Sequence, residues 1–167
     1  PDTSATAAEY RLMAKDEQAD PLRSQFWELP LKELNAHEWE QLCDGCGRCC
    51  LKKLIDEGSG EVVWTRVICR FFEQESSRCQ CYSQRTQLVP ACLNVRAMDI
   101  DSTEWMPPSC AYRLRCQGKP LYDWHPLIAQ TRDKMRQAGI SVDAKVLSEE
   151  YVHPDGYHEH IIRWVDS

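Results

Sequence analysis

Apolar residues in this chain come in short groups, and the first dense group runs from Phe26 to Leu34. The residues before it are polar and weakly patterned, which is typical of a loose tail. We therefore expect a flexible N-terminal tail over residues 1–24, with a nascent helix at 7–14, and a folded domain over residues 25–167.

The segment after this apolar group carries a helix start signal, N-A-H-E beginning at Asn35. The Asn35 side chain can accept a hydrogen bond from the backbone amide of Glu38, and the Glu38 carboxylate can accept one from the amide of Asn35. The pattern predicts a short helix with Trp39 and Leu42 on one face. This helix should deliver Cys43 at its C-terminal end.

The remaining elements are predicted to be short. Residues 61–68 are rich in β-branched side chains and predict a strand. The local patterns further predict helices at 50–57, in the turn before Pro90, at 93–98, at 109–117 and at 131–138, and strands at 140–152 and 157–165 around a turn at 154–156. The fold class is therefore α+β, a small, loop-rich single domain with short helices and a few strands organised around cysteine–metal sites.

Ten cysteines are an unusual number for a 167-residue chain, which is long enough to bury a core without cross-links. Such a count indicates disulfides in a secreted protein, or metal and redox chemistry inside a cell. No apolar signal segment is visible, and no apolar run reaches the roughly 18 residues of a membrane helix. We expect a cytoplasmic protein without membrane association. The net charge of -6 argues against non-specific nucleic-acid binding, and the sequence specifies no protein partner.

The strongest chemical signal is the run C-D-G-C-G-R-C-C, which contains Cys43, Cys46, Cys49 and Cys50. Two-residue spacers let a turn aim successive thiolates at one metal, and the two glycines permit a sharp turn. Later cysteines are close enough in sequence to complete one or two sites: Cys69, Cys79, Cys81, Cys92 and Cys110. Three cysteines at C-x2-C-x2-C with a distant fourth favour an iron–sulfur cluster over zinc, which more often uses two separated C-x2-C pairs.

Three other interpretations of the cysteines are open. Five disulfides would require an oxidising compartment. The stretch from Cys46 to Cys49 is similar to a thioredoxin-type redox motif, although the βαβ unit that should carry it is not predicted. Isolated cysteines are often small buried apolar residues, which explains Cys116 and could also explain Cys69, but not the run at 43–50.

All ten cysteines lie in residues 43–116, the one segment that is not acidic. Several thiolates around a metal leave net negative charge, which nearby cations such as Arg48, Lys52 and Lys53 could offset. The competing interpretation is that these three side chains are simply solvated.

The histidines give weaker signals. His125 lies beside a tryptophan and could be a ligand or an acid–base group, but a packed, hydrogen-bonded histidine is the more common case. His153, His158 and His160 lie near Asp155 and could bind a divalent metal, although exposed polar residues of a hairpin explain them better. No catalytic constellation is recognisable, so no enzyme class is assigned.

Further motifs follow the cysteine run in a fixed order. The run is preceded by E-W-E-x-L at 38–42 and followed by C-R at 69–70, C-x-C-x3-R at 79–85, V-P-x-C at 89–92, W-M-P at 105–107, S-C-A-Y-R at 109–113, W-H-P-L at 124–127 and I-S-V at 140–142. In this combination residues 26–150 resemble the YcgN-like cysteine-cluster proteins of bacteria, within a wider group of zinc- or iron-chelating CxxCxxCC proteins. The resemblance implies metal binding by nine cysteines: Cys43, Cys46, Cys49, Cys50, Cys69, Cys79, Cys81, Cys92 and Cys110. It leaves Cys116 outside the pattern and implies no particular reaction.

These observations support a metal-binding protein that uses an iron–sulfur cluster or zinc for structure or electron transfer. The alternatives are an enzyme with an open coordination position and an interaction module that metal folds. In either case we expect Cys43 and Cys46, with one of the adjacent pair Cys49 and Cys50, to converge with a later cysteine. Adjacent residues point apart, so this pair should serve different sites, or one of them should pack. The C-x-C pair at 79–81 should share a face.

Overall fold

The computed structural model describes residues 20–165. The predicted nascent helix at 7–14 lies outside these residues. The α-helices of the described part are α1 (Ala36–Leu42), α2 (Arg85–Leu88), α3 (Ala111–Cys116), α4 (Pro126–Ala129) and α5 (Asp133–Gln137). The strands are β1 (Leu51–Ile55), β2 (Val62–Ile68), β3 (Phe72–Glu73), β4 (Arg78–Cys79), β5 (Leu147–Ser148) and β6 (Ile161–Ile162). Single turns of 3-10 helix lie at Phe26–Glu28, Leu31–Glu33, Arg48–Cys50, Tyr82–Gln84, Val95–Ala97 and Glu149–Tyr151, and a longer one at Pro154–His160.

This arrangement confirms the predicted α+β class with short elements. Strand β2 is the centre of the main sheet, because it pairs antiparallel with β1 and β6 and parallel with β5. Strands β3 and β4 form a separate antiparallel pair. None of the described helices has the length and apolar character needed to cross a membrane.

Two hydrophobic cores stabilise the domain. The first packs α1 and α3 with the N-terminal 3-10 turns, and its buried members include Phe26, Leu34, Trp39, Leu42, Ile100, Met106, Tyr112, Leu114 and Leu121. The second lies on the main sheet and contains Leu51, Trp64, Ile68, Val142 and Val165. The segment 43–50 connects α1, in the first core, to β1, in the second. The cysteine run therefore lies at the junction of the two cores.

The predicted start of α1 is confirmed. The Glu38 amide donates to the Asn35 side chain at 2.8 Å, and the Asn35 amide donates to the Glu38 carboxylate at 3.1 Å. Arg23, at the end of the predicted tail, binds the same carboxylate with contacts of 2.6 and 2.8 Å. Its hydrogen bond and charge lower the pKa of Glu38 to about 2.

The predicted helix at 50–57 is wrong, because Leu51–Ile55 forms β1. This segment is a strand because it pairs with β2. The two strands are joined by a turn in which Asp56 accepts hydrogen bonds from the amides of Gly58 and Ser59. Cross-strand bonds and burial of Leu51 outweigh the weak helical preference of this segment.

The predicted long strands at 140–152 and 157–165 are also wrong. Within these two ranges the strands are only two residues long, β5 and β6, and both pair with β2. Between them Pro154 begins a 3-10 helix, in which His153 accepts a hydrogen bond from the amide of Asp155. Proline at the first helical position has the dihedral angle that a helix needs, which explains the helical choice. His158 and His160 therefore lie in a helical turn and not on one face of a strand.

Candidate metal centre

The cysteine run begins where α1 ends. Cys43 is the C-terminal cap of α1, and the next residue, Asp44, bends the chain by accepting a hydrogen bond from the Cys46 amide at 2.9 Å. Gly45 and Gly47 have φ angles of 69° and 81°, in the left-handed region that glycine adopts without strain. The predicted tight turn at the two glycines is thus present.

Gly47 is needed for space as well as for its backbone angle. A Cβ atom there would lie 2.6 Å from Cγ2 of Val142 and 2.7 Å from Cζ of Phe72. The cysteine run is therefore pressed against residues that come much later in the chain.

Two arginines join the run to the segment 132–142. Arg132 donates from its guanidinium to the carbonyl oxygens of Asp44 and Gly45 at 3.2 and 3.1 Å. Arg48 is buried and donates to the carbonyl oxygens of Ile140 and Gly139 at 2.8 and 3.2 Å. Arg48 is thus neither a solvated side chain nor directed at the thiols. Its hydrogen bonds hold the cysteine run against residues 139 and 140.

Four of the nine predicted cysteines lie in the run after α1 or at the start of α3, and we call them the helix-side group: Cys43, Cys46, Cys49 and Cys110. Cys110 caps the N-terminus of α3, and Tyr112 in that helix donates to the carbonyl oxygen of Trp39 in α1 at 2.8 Å. This contact joins the first turn of α3 to the middle of α1, and the charge of Cys110 contributes to the raised pKa of Cys43.

The thiols of the helix-side group influence one another. Removal from bulk water raises the pKa of Cys43, Cys46 and Cys110, and the negative charges of Asp44 and Cys49 raise the pKa of all three further. For Cys110 the pKa is about 12. Cys43 and Cys49 also keep solvent-accessible surface, so the group opens to the outside on one side while protein atoms surround the sulfurs.

The other five lie along the sheets and the loop after them, and we call them the sheet-side group: Cys50, Cys69, Cys79, Cys81 and Cys92. The Cys69 amide donates to the Cys50 carbonyl at 3.0 Å. In the second sheet Cys79 pairs with Phe72, and its sulfur lies 3.7 Å from that of Cys81. Burial raises the pKa of Cys69, Cys81 and Cys92, and the charge of Cys79 adds to each.

The two groups meet at the adjacent cysteines. A hydrogen bond from the Cys50 thiol lowers the pKa of Cys49 to about 7, and the same interaction raises the pKa of Cys50. Lys53 lies beside them and donates to the carbonyl oxygens of Cys49 and Leu51 at 3.1 and 2.9 Å. Its ammonium charge further lowers the pKa of Cys49. Of the three cations considered, Lys53 is therefore the one beside the junction, whereas Lys52 pairs with Glu149 at 2.8 Å.

All ten cysteines are described, and all are free thiols, so the structure contains none of the five disulfides considered above.

Within residues 20–165, no three Cys, His, Asp or Glu side chains are arranged so that they could hold a metal ion. The sulfurs of Cys79 and Cys81 do have the separation, about 3.5–4 Å, of two thiolates on one zinc. Cys116 is apart from both groups and donates to the Asp101 carboxylate at 3.6 Å. The chemistry of the available donors, which are soft thiols, fits zinc or an iron–sulfur cluster.

His125 is packed and hydrogen-bonded, which is the more common of the two alternatives given by the sequence. It is 2% exposed, its Nε2 donates to the carbonyl oxygen of Leu42 at 3.0 Å, and its Nδ1 accepts from the amide of Leu127 at 3.1 Å. Burial lowers the pKa of His125. His153 and His158 are exposed, and His160 accepts a hydrogen bond from Arg66 at 3.0 Å.

Two residues of this region escaped the sequence analysis. Asp44 is 6% exposed, and its Oδ2 atom is buried without a hydrogen-bond partner. The sequence did offer one signal for Asp44, because it lies between two predicted metal ligands, Cys43 and Cys46. Arg132 lies far along the chain in an ordinary polar context, and nothing in the sequence points to its bonds with the cysteine run.

Comparisons with known proteins bear on the same part of the chain. A protein-family profile for CxxCxxCC, described as a "putative zinc- or iron-chelating domain", matches residues 42–111. That range includes all nine cysteines of the two groups and ends before Cys116. The match supports metal binding by this part of the chain.

The full-length relatives share most of the chain. A UPF0260 protein of Cellvibrio japonicus is 47% identical over 141 residues, which cover 84% of this chain and 96% of the relative. Those of Allorhizobium ampelinum and Marinobacter nauticus are each 44% identical, over 83% and 84% of this chain and 88% and 95% of their own lengths. No solved structure matches the chain. The resemblance to the CxxCxxCC proteins is confirmed, and the chain belongs to the UPF0260 family.

Proposed function

We propose that this chain is a metal-binding protein that holds an iron–sulfur cluster or zinc through clustered cysteine thiolates. The observation that carries the proposal is that residues 42–111, which match the zinc- or iron-chelating family model, contain nine free thiols, and that the sulfurs of two of them, Cys79 and Cys81, lie 3.7 Å apart. Cysteines that served only as small apolar core residues would not need the regular spacing of the run at 43–50.

The helix-side group favours an iron–sulfur cluster over zinc. Three of its members come from C-x2-C-x2-C, and the fourth, Cys110, comes from a distant helix end. Three closely spaced thiolates with one distant partner are typical of iron–sulfur ligation. When bound, such a cluster would supply one-electron transfer, whereas zinc would supply rigidity or Lewis acidity.

The thiols need a reducing environment to remain available as ligands. All ten are free, and glutathione and thioredoxin keep thiols reduced in the cytosol. A cytoplasmic location is therefore part of the proposal.

Anaerobic purification followed by elemental analysis tests the proposal. A brown preparation with iron and acid-labile sulfide is the expected result, and a colourless one with stoichiometric zinc supports the zinc form. Replacing Cys43, Cys46 or Cys49 singly with serine should lower the metal content and the melting temperature, because metal binding is coupled to folding. A wild-type protein that binds neither metal would refute the function itself.

A metal-dependent enzyme is the second candidate, favoured by the exposure of Cys43 and Cys49. An accessible centre can keep one coordination position for a substrate, unlike the closed sites of structural zinc. Cyanide added to the metal-loaded protein probes this alternative: a spectral shift indicates an open position, and an unchanged spectrum removes it.

A further inference from the structure

We propose that an open cleft beside the cysteine run binds a small anion that carries a planar aromatic ring. The cleft has a volume of about 400 Å³, and we call it the aromatic cleft. Its volume lies within the range of small-molecule sites in proteins. The residues of the cleft that matter here are Arg48, Ser109, Tyr122, Trp124, Gly139 and Trp164. The inference does not depend on the proposed function, because none of these residues is a predicted metal ligand.

The cationic group of the cleft is Arg48, which is buried without an acidic partner. Its side chain is 5% exposed, and within residues 20–165 no carboxylate forms an ion pair with it. Nε and Nη2 donate to the neutral carbonyl oxygens of Ile140 and Gly139, whereas Nη1 donates to no described residue and is not closed off from solvent. A buried charge without a counter-ion is costly, so an anion bound at Nη1 would stabilise it.

Lys145 adds a second positive charge beside the cleft. Its Nζ donates to the carbonyl oxygen of Gly139 at 3.0 Å, and the same oxygen accepts from Arg48 at 3.2 Å. Burial and the charge of Arg48 lower the pKa of Lys145, while the nearby Asp143 is itself bound to Arg136 at 2.9 Å. None of the described residues that line the cleft is acidic, so the local potential favours an anion.

Three aromatic side chains suit the cleft to a planar ring. Tyr122 and Trp124 stack with their ring centroids 5.4 Å apart and 14° between their planes. Both cations lie over the Trp164 ring, the Lys145 ammonium at 4.3 Å and the Arg48 guanidinium at 6.0 Å from its centroid. Tyr122 is still 47% exposed. An aromatic ligand can therefore stack in the cleft while its anionic group binds Arg48.

The aromatic cleft adjoins the candidate metal centre along the chain. Arg48 directly precedes Cys49, and Ser109 directly precedes Cys110. On the far side of the cleft, Gly139 is held to the run by Arg48. A bound ligand would therefore lie next to the backbone that carries two of the predicted thiolate ligands.

Calorimetric titration of the full chain with four probes tests the proposal without any variant. Naphthoate and naphthyl phosphate carry both the ring and an anion, naphthamide carries the ring alone, and inorganic phosphate carries the anion alone. At least one naphthyl anion should bind with a Kd of about 1 mM or below. It should bind at least about tenfold more tightly than naphthamide or inorganic phosphate, because both the charge and the ring are recognised. The tighter of the two naphthyl anions shows whether the cleft prefers a carboxylate or a phosphate.

Two results of this titration would overturn the proposal. The first is that neither naphthyl anion binds. The second is that naphthamide or inorganic phosphate binds as tightly as the better naphthyl anion, since the cleft would then not recognise the two features together.

Variants locate the binding in the cleft. Arg48→Gln should weaken binding of the better naphthyl anion by at least about tenfold, through loss of a charge-assisted hydrogen bond. Since Arg48 also holds the cysteine run, Tyr122→Leu provides a test that does not disturb that contact, and it should weaken binding about threefold or more. Tyr151→Leu is the matched control, because Tyr151 is 79% exposed and lies outside the cleft. Equal affinities of the two tyrosine variants, or wild-type affinity in a folded Arg48→Gln protein, would place the ligand elsewhere and refute the assignment.

Discussion

Replacing Gly47 with alanine tests how tightly the cysteine run is fitted to the rest of the domain. Gly47 has a φ of 81°, and the new Cβ would lie 2.6 Å from Val142 and 2.7 Å from Phe72. A left-handed conformation costs a residue with a side chain roughly 1–2 kcal/mol. Overpacking of a filled site costs about 1–3 kcal/mol more. The free energy of unfolding should therefore fall by about 2–5 kcal/mol.

Gly60→Ala is the matched control, because Gly60 has a φ of 73° and a Cβ atom added there would meet no atom of a more distant residue within 4 Å. It should lose only the conformational part, about 1–2 kcal/mol. The smaller entropy of the unfolded chain with alanine affects both variants alike and cancels in their difference.

Urea denaturation of both variants, prepared in the same metal state as the wild type, measures this difference. With a slope near 2 kcal/mol/M, Gly47→Ala should lower the midpoint by roughly 1–2.5 M. Equal midpoints for the two variants would show that the run does not contact Val142 and Phe72 closely, which would refute the packing on which the site description depends.

Three further predictions concern residues outside the two cysteine groups. Burial lowers the pKa of His125 in the folded protein below its ordinary value of about 6.5. As the pH falls through about 6.5, the unfolded chain binds a proton that the folded protein does not, so the free energy of unfolding should decrease. Unfolding free energies at pH 7.5 and 5.5 should differ more for the wild type than for His125→Gln; an equal change in both would contradict the buried neutral histidine. Asn35→Ala should cost about 1 kcal/mol in urea unfolding through loss of the α1 cap, while wild-type stability would contradict the cap. Cys116→Ala should keep full metal content by elemental analysis and cost on the order of 1 kcal/mol or less, and loss of metal would move Cys116 into the site.

Local chemistry made some parts of this fold predictable. The capping box of Asn35 and Glu38 and the tight turn at Gly45 and Gly47 depend on residues within a few positions of one another. The strand at 61–68 and the helix at 109–117 were likewise predictable from local sequence, because β-branched residues fill the strand and Pro107 and Pro108 stand just ahead of the helix.

The wrong predictions share one physical cause. Residues 51–55 form a strand because β2 offers backbone partners, and residues 140–146 form a loop that anchors Arg48 and the Cys46 carbonyl. Both outcomes depend on partners distant in sequence, and propensity is too weak to resist them.

For the candidate site, the sequence by itself determined which residue types are available: a cysteine run with glycine turns, five later cysteines, and a tenth outside the family pattern. Only the tertiary structure decided how they are grouped. Packing of α3 on α1 brings Cys110 towards Cys43 at the start of the run, and sheet pairing brings Cys69 and Cys79 towards Cys50. The buried, unpartnered Oδ2 of Asp44 also emerges only in three dimensions, because burial is a property of packing and not of spacing along the chain.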